Sequence, residues 1–192
     1  VLASSPRFCR HLHLPLQSGD DEILEKMHRP YTTKEYRELF LRAAKMMPGL
    51  AVTTDVMVGF PGETDRHFEN TYNLISSLPF RDLHVFKYSP RPGTPAAEMP
   101  DQVKPRKKNE RSRKLRELAS SKARTFAEGA LGETLDVLVE RRFRKRPGFW
   151  QGITDNYLRV IFPSQEKELR GALLPVRMMK LAKGDLIEGK TR

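Results

Sequence analysis

The sequence predicts an α/β domain built on parallel strands, followed by a small all-β barrel. Three apolar stretches, at residues 12–16, 51–58 and 83–88, each end abruptly in polar, Gly and Pro residues. Helical segments follow these stretches, and this alternation is typical of a parallel sheet. After Gly132 the pattern changes to short strands without a long helix, which favours a closed barrel or a sandwich.

The helices of the first part have recognisable start signals. Acidic residues open a helix at 20–27, which suits the dipole of a helix amino terminus. Thr32 or Thr33 with Glu35 predicts a capping box for the second helix. Thr64 is predicted to cap the third helix, whose apolar residues recur near helical spacing.

The rest of the chain is assigned from breakers and periodicity. Residues 51–58 are apolar on both faces near their end, which predicts a strand buried on both sides. The segment 90–100 carries four prolines and is predicted to be an irregular loop. Residues 103–128 are predicted to form a long, strongly basic helix. The predicted domains are 1–130 and 131–192, with barrel strands at 134–140, 157–162, 172–178 and 185–188.

Charge is distributed very unevenly along the chain. The formal net charge is +11, and residues 101–192 carry all of it, because residues 1–100 hold equal numbers of basic and acidic side chains. A one-sided basic half indicates a polyanionic partner, and nucleic acid is the usual one. The alternative is an ordinary solvated cationic surface.

Composition also limits the class of protein. No apolar run reaches the roughly 18 residues of a membrane span, so no membrane partner is expected. The single cysteine, Cys9, rules out an internal disulfide and fits a reducing compartment. No secretory signal is visible, and a cytoplasmic protein is expected.

Three strands do not complete a parallel α/β architecture, because both edges of such a sheet stay open. We therefore expect the chain to be the carboxyl-terminal part of a longer polypeptide, with the upstream half of that polypeptide as its partner. Open edges also predict an edge-mediated dimer of the fragment. The alternative is a small three-stranded domain that is complete in itself.

Four motifs occur together in this order along the chain. They are residues 11–19 (HLHLPLQSG), 27–32 (MHRPYT), 54–64 (TDVMVGFPGET) and 88–96 (YSPRPGTPA). In this combination the chain resembles the radical S-adenosylmethionine (radical SAM) methylthiotransferase family. Residues 131–190 are similar to the TRAM domain, a small RNA-binding β-barrel. The resemblance implies the second half of a TIM-like radical SAM barrel followed by a TRAM barrel.

The resemblance also implies a reaction and a substrate. Family members insert sulfur at C2 of a modified adenosine next to the tRNA anticodon and methylate it, so the anticodon arm of tRNA is the expected partner. Residues 84–89, 99–103 and 152–160 look most like the branch that acts on N6-threonylcarbamoyladenosine. The branch that acts on N6-isopentenyladenosine is the alternative, and a stand-alone RNA-binding module without catalysis is another. The branch that acts on a ribosomal protein is disfavoured by the basic last domain.

The cofactors implied by the resemblance are S-adenosylmethionine and two [4Fe–4S] clusters. In the family, one cluster is held by a three-cysteine motif and cleaves S-adenosylmethionine to a radical, while the second cluster supplies sulfur. This chain has only Cys9, which cannot ligate a cluster alone. We therefore expect no cluster, no metal and no catalytic residue in this chain by itself.

Candidate cofactor-binding residues lie where the three predicted strands end. Gln17 and Ser18 offer short polar groups to a ribose or a substrate, although a Ser-Gly turn can simply end a strand. Arg29 could pair with the carboxylate of S-adenosylmethionine, or be an ordinary surface arginine. The resemblance adds the strand-end residues near adenine, where the alternatives are a strand-to-helix turn and a half-buried aromatic. These are Thr54, Asp55, Gly59, Glu63, Tyr88 and Ser89.

Candidate RNA-binding residues lie in the last domain. A basic run interleaved with aromatic residues offers cations to phosphates and rings to unpaired bases. The alternative is a charged hairpin with its tryptophan packed inside the barrel. The candidates are Arg141, Arg142, Arg144, Lys145, Arg146, Trp150, Asn156, Tyr157 and Arg159.

Two histidines on the first predicted strand are candidate metal ligands by residue type. His11 and His13 alternate with leucines, so both imidazoles are expected to face one way. No Cys or carboxylate stands at ligand spacing beside them in the sequence, so we predict a structural or supporting role.

Overall fold

A computed structural model describes residues 2–5 and 7–191 of the chain. Contacts divide them into two compact units. The α/β unit comprises Leu12–Pro48 and Val52–Ala119. The barrel unit comprises the described residues up to His11, Gly49–Ala51 and the described residues from Ser120 onward. The predicted domain boundary at residue 130 stays a prediction.

The α/β unit is built on a three-stranded parallel sheet in the order β1-β2-β3. Helices follow the strands in sequence, as predicted. The elements are β1 (His11–His13), α1 (Asp21–Lys26), α2 (Thr33–Met46), β2 (Ala51–Val58), α3 (Asp65–Ser77), β3 (Asp82–Lys87), α4 (Pro95–Glu98) and the first part of α5 (Pro105–Gly129).

The predicted helix starts are confirmed. The Thr32 hydroxyl accepts a hydrogen bond from the backbone N–H of Glu35, and the Glu35 carboxylate accepts one from the N–H of Thr32. Thr64 caps α3 by accepting from the N–H of His67. Each cap satisfies backbone donors that the first helical turn leaves unpaired, so the residue that begins the helix is set locally.

The two faces of β2 have different environments. Val52, Val56 and Val58 are buried, as is Thr54, whose hydroxyl lies 3.3 Å from the hydroxyl of Tyr36 in α2. The side chains of the other face, which begins at Thr53, are only half-buried. Burial on both faces was therefore the wrong prediction for this chain, because helices cover one face of the sheet. We call the half-buried face the open face.

The proline-rich segment is more ordered than predicted. Residues 95–98 form the short helix α4, with Pro95 at its first position. Proline fits there because its fixed φ is already helical and its missing N–H would have been unpaired. The prediction of an irregular loop throughout 90–100 was wrong at this point.

Among the described residues, no helix combines the length and the apolar character that a transmembrane span requires.

The barrel unit contains a closed five-stranded barrel in the order β4-β5-β6-β8-β7. The predicted barrel is confirmed, but β5 was not predicted, because Gly152 interrupts the middle of its sequence pattern. A Cβ at Gly152 would overlap the backbone carbonyl of Leu138, so this crossing requires glycine. The elements are a short 3-10 helix (Leu2–Ser4), β4 (Thr134–Arg142), β5 (Phe149–Thr154), β6 (Arg159–Pro163), β7 (Leu173–Leu181) and β8 (Ile187–Thr191).

Candidate functional site

The turn after β2 is tied to α5 by a buried ion pair. The carboxylate of Glu63 accepts hydrogen bonds from the N–H of Gly59 and from the Arg111 guanidinium, at 2.5 and 2.6 Å. Arg111 also donates to the backbone carbonyl of Glu63 and to Asp65 at the start of α3. Both side chains of the Glu63–Arg111 pair are almost fully buried. The arrangement fixes the turn that follows β2.

Burial governs the titration of this carboxylate. It raises the pKa of Glu63, while the bond from Gly59 and the charge of Arg111 act in the opposite direction. The oxygen that meets Gly59 and Arg111 is committed within the protein. One carboxylate oxygen of Glu63 thus positions the turn, and the predicted contact of Glu63 with the cofactor stays a prediction.

Gly59 has positive φ, a conformation that a residue without a Cβ adopts easily. The space beside its α-carbon holds the side chain of Lys108, and a Cβ at Gly59 would overlap Lys108 Cγ. The ammonium of Lys108 donates to the backbone carbonyl of Tyr88 at 2.9 Å. The close approach to Gly59 that we expected for a flat ring is therefore filled by a lysine of α5.

The end of β3 offers a buried hydroxyl without a partner. Tyr88 is buried against Phe60, with 5.4 Å between ring centroids, and belongs to a small apolar cluster with Ile23. Among the described residues, its hydroxyl finds no hydrogen-bond partner. An unsatisfied buried hydroxyl is costly, so a ligand or water at this position would be stabilised. The neighbouring Ser89 is exposed.

The two candidate residues that follow β1, Gln17 and Ser18, have different environments. Gln17 has positive φ and bridges Val56 through backbone hydrogen bonds, while its carboxamide has no partner among the described residues. Ser18 is buried, and its hydroxyl lies 3.3 Å from that of Thr71 in α3. Thr54 is buried too, and it accepts from the N–H of Leu16. Gln17 thus has a free polar group, whereas Ser18 and Thr54 are used inside the fold.

Arg29 follows α1 rather than a strand. It is exposed after α1 and lines an open depression with Tyr31. The same depression is lined by Asp21, Glu25 and Glu35. Because three carboxylates line the depression, a further anion would be repelled there. The depression therefore does not support the predicted pairing of Arg29 with a ligand carboxylate.

Asp55 lies on the open face between two histidines. Its carboxylate oxygens are 3.4 Å from His13 Nε2 on β1 and 3.2 Å from His84 Nδ1 on β3. No carboxylate stands at ligand spacing beside His13 in the sequence, but the fold brings Asp55 to it from the neighbouring strand. The register that places Asp55 opposite His84 cannot be read from spacing along one strand. His11 does not share this environment, since its ring lies 4.3 Å from that of Tyr157.

Two predicted RNA contacts of the barrel unit are internal. Trp150 is 2% exposed and lies in the barrel core. The guanidinium of Arg142 lies 4.3 Å from the centroid of that indole ring and donates to backbone carbonyls near Lys167. Stacking of Trp150 on a base was therefore a wrong expectation, because its ring is covered by the barrel itself.

Asn156 is the second internal residue. Its amide donates to the carbonyl of Gly49 and its oxygen accepts from Thr154. The adjacent Asp155 forms a two-pronged ion pair with Arg10, at 2.6 and 2.9 Å. The turn after β5 thus holds two other segments of the barrel unit, and Asn156 is not free to read RNA. Tyr157, by contrast, is 47% exposed.

The ion pair at Asp155 predicts a pH dependence of stability. The hydrogen bond from Arg10 lowers the pKa of Asp155 in the folded protein. The contribution of the Arg10–Asp155 ion pair to the free energy of unfolding is therefore present above the pKa of about 4 that Asp155 has in the unfolded chain. It is lost as the pH falls through the lower pKa of Asp155 in the folded protein. We expect Asp155→Asn to lower the free energy of unfolding at neutral pH, with the difference from the parent shrinking below about pH 4.

Urea unfolding of both proteins across this pH range measures the difference. Asp136→Asn is the control, because Asp136 is exposed and makes no ion pair among the described residues. A gap for Asp155→Asn that stays constant down to the acid limit would contradict the assignment.

The remaining cations differ in how they are partnered. Arg146 pairs with Glu188 and lies 3.8 Å from the Phe149 ring centroid, and Arg159 pairs with Asp185. Within the part of the chain that the structure describes, three of the predicted RNA contacts are exposed and form no ion pair or side-chain hydrogen bond. They are Arg141, Arg144 and Lys145.

The structure adds one cationic pair that the sequence analysis missed. Arg177 on β7 and Lys190 on β8 are direct cross-strand partners, and both are exposed. Like charges opposite each other destabilise a sheet unless an anion lies near them. Their alternation with buried residues was visible in the sequence, but only the pairing of β7 with β8 brings them together.

The sequence of this chain is similar to a family model and to named proteins. The model of the radical SAM superfamily matches residues 1–75. A Bacillus subtilis (strain 168) protein named threonylcarbamoyladenosine tRNA methylthiotransferase MtaB is 42% identical over 182 residues, which are 94% of this chain and 40% of that protein.

Two further relatives carry a different substrate name. A Moorella thermoacetica protein named tRNA-2-methylthio-N(6)-dimethylallyladenosine synthase is 40% identical over 187 residues, 95% of this chain and 42% of that protein. A Pelotomaculum thermopropionicum protein of the same name is 43% identical over 176 residues, 92% of this chain and 39% of that protein.

The radical SAM superfamily model thus covers the part of the chain that includes β1, α1, α2 and β2. Over nearly its whole length the chain is similar to proteins that are named as tRNA methylthiotransferases or as 2-methylthio-adenosine synthases of tRNA. It spans about two fifths of the length of these relatives.

Proposed function

We propose that this chain is part of a tRNA methylthiotransferase that adds a methylthio group at C2 of N6-threonylcarbamoyladenosine next to the anticodon. The observation that carries the proposal is its 42% identity, over 94% of the chain, to the Bacillus subtilis relative named for that substrate. Methylthiolation of N6-isopentenyladenosine is the second candidate, because two relatives of similar identity are named for dimethylallyladenosine.

S-adenosylmethionine is the cofactor we propose for the strand ends of the α/β unit. The unpartnered Tyr88 hydroxyl and the free Gln17 carboxamide support this, since both could hydrogen-bond a ligand beside the apolar cluster. The cofactor would supply the radical and methyl chemistry. Glu63 and Arg111 would hold the turn after β2 in place. Cluster ligands would come from parts of the polypeptide outside this chain, which has one cysteine.

For the barrel unit we propose a TRAM-like role in binding the anticodon arm. The exposed cations Arg141, Arg144 and Lys145 would contact phosphates, and the cross-strand pair Arg177 and Lys190 would extend that surface. Tyr157 supplies an exposed ring for a base. Because the proposed substrate is tRNA, we expect the protein to be cytoplasmic.

Removing one phosphate contact should change the salt dependence of RNA binding. For Arg144→Ala we expect weaker binding of a tRNA anticodon stem-loop, with the slope of log K against log salt reduced by about one unit. Fluorescence anisotropy titrations at several salt concentrations measure the slope. The control is Arg42→Ala, which removes an exposed arginine from α2 in the α/β unit. Equal slopes for Arg144→Ala and the parent would contradict a contact at this residue.

The substrate is tested in the source organism by disrupting the gene and analysing digested tRNA by mass spectrometry. Loss of the 2-methylthio form of threonylcarbamoyladenosine is the expected result. Loss of only the 2-methylthio form of isopentenyladenosine would favour the second candidate. If both methylthio nucleosides persist, the result contradicts both substrates and favours the alternative of a stand-alone RNA-binding module without catalysis. Sequencing upstream of Val1 is the first step, and an in-frame Cys-x-x-x-Cys-x-x-Cys is expected there.

A further inference from the structure

Three neighbouring strands place one metal-binding type of side chain each at the same level of the open face. His13 lies on β1, Asp55 on β2 and His84 on β3, and Asp55 and His84 are direct partners in the parallel register. Each residue offers one ligand atom, and these three atoms lie within 4.8 Å of one another. Sheet pairing alone therefore assembles two imidazoles and one carboxylate around a common point.

The three side chains are close enough to converge on one small divalent ion. Asp55 Oδ2 lies 3.4 Å from His13 Nε2, and its other oxygen, Oδ1, lies 3.2 Å from His84 Nδ1. In a tetrahedral zinc site with bonds of about 2.0–2.1 Å, neighbouring ligand atoms are about 3.3 Å apart. With one ligand atom from each residue, the three atoms already lie within 4.8 Å of one another, so small side-chain rotations would bring them to that spacing.

The orientation of His13 is held by a neighbour on β2. His13 Nδ1 lies 3.0 Å from the hydroxyl of Thr53, which leaves Nε2 directed at Asp55. A histidine that ligates a metal usually gives its other ring nitrogen to such a hydrogen bond. When Nδ1–H donates to Thr53, Nε2 presents a lone pair to a carboxylate. Two acceptors face each other in that state, and a cation between them relieves the repulsion.

Access to the cluster is graded across the sheet. The side chains of Asp55, His13 and His84 are 26%, 39% and 57% exposed, so the cluster opens toward the His84 side. An ion can enter there without rearrangement of the sheet. The apolar Met57, next on this face of β2, lies beside the cluster and is half-buried.

We propose that His13, Asp55 and His84 form a site for a divalent transition metal, with Zn²⁺ as the best match. Two imidazoles and one carboxylate suit Zn²⁺ or Fe²⁺, whereas Mg²⁺ and Ca²⁺ require oxygen ligands. Three protein ligands leave a position open for water or for an oxygen of a substrate, as in catalytic rather than structural zinc sites. The site uses no thiolate and does not depend on the proposed tRNA chemistry.

Isothermal titration of ZnCl₂ into the chain tests the site. Cys9→Ser serves as the background, because the exposed Cys9 thiol could bind zinc on its own. We expect one Zn²⁺ per chain, and Co²⁺ in its place should give the visible absorption of a four-coordinate ion. Asp55→Asn and His84→Ala should weaken binding by about 10–100-fold or more, the cost typical of losing even a supporting group.

Two further variants make the result decisive. Thr53→Val keeps all three ligands and the β-branched shape, and it should weaken zinc binding about tenfold through His13 alone. His28→Asn removes an exposed imidazole outside the cluster at a positive φ that asparagine tolerates, and it should leave binding unchanged. Circular dichroism checks that each variant is folded.

The possible results separate cleanly. Tight zinc binding that depends on Asp55, His84 and Thr53 but not on His28 supports the site. Absence of zinc binding by the folded parent overturns the proposal. Binding that all variants retain, or that His28→Asn also loses, overturns it as well, because the metal would then be held elsewhere.

Discussion

Replacing Arg111 with methionine should lower the free energy of unfolding by about 3–5 kcal/mol, the cost of leaving a buried charge without its partner. Glu63 would keep its bond from the Gly59 N–H but lose the guanidinium that lies 2.6 Å away. Methionine keeps an unbranched apolar stem, so the packing of the aliphatic part of the side chain is retained while the guanidinium is removed. Chemical denaturation at neutral pH, monitored by circular dichroism, measures the change.

The control for this prediction lies on the same helix. Arg113→Met removes an exposed arginine of α5 and should change the free energy of unfolding by less than about 0.5 kcal/mol. The double variant Glu63→Gln with Arg111→Met should recover part of the loss, because no charge is then left buried. If Arg111→Met and Arg113→Met lower the free energy of unfolding by the same amount, the ion pair is not what holds the turn after β2.

Replacing Trp150 with alanine should lower the free energy of unfolding by about 3–5 kcal/mol, as large-to-small changes in a core do. Its ring packs among Leu158, Val160 and Phe162, which are fully buried in the barrel. The empty volume cannot collapse easily in a closed barrel, because each strand is fixed by two neighbours. The loss should appear as a lower denaturant midpoint.

Tyr157→Ala provides the matched comparison for Trp150. This aromatic residue is 47% exposed, so we expect a small effect on stability and a measurable loss of RNA affinity. At temperatures where Trp150→Ala is still folded, its RNA affinity should stay near that of the parent. If Trp150→Ala keeps the stability of the parent but loses RNA binding, Trp150 is an RNA contact and not a core residue.

The sequence by itself determined the elements whose signals are local. The capping box at Thr32 and Glu35 and the cap at Thr64 start their helices through bonds to residues three positions away. Strand β2 could be predicted at Ala51–Val58 from a run of apolar residues. Four motifs in one order were enough to indicate the family. Each cap, strand and motif is contained in a short stretch of the chain, which is why it can be read without a fold.

The tertiary structure decided which side chains are free and which are committed. Ser18, Thr54 and Asn156 looked available in the sequence, yet each has a partner from a distant segment. Hydrogen bonds over such separations depend on how elements pack, and no periodicity encodes them. The same reason applies to Glu63, whose partner Arg111 lies on another helix.

The cluster of His13, Asp55 and His84 gives the clearest case. Each residue is unremarkable on its own strand, and the parallel register brings all three together. Register is set by the burial of alternating residues on the helix-covered face, which then fixes what the opposite face displays. The sequence determined the strands and the family, and the pairing of those strands decided the chemistry of the open face.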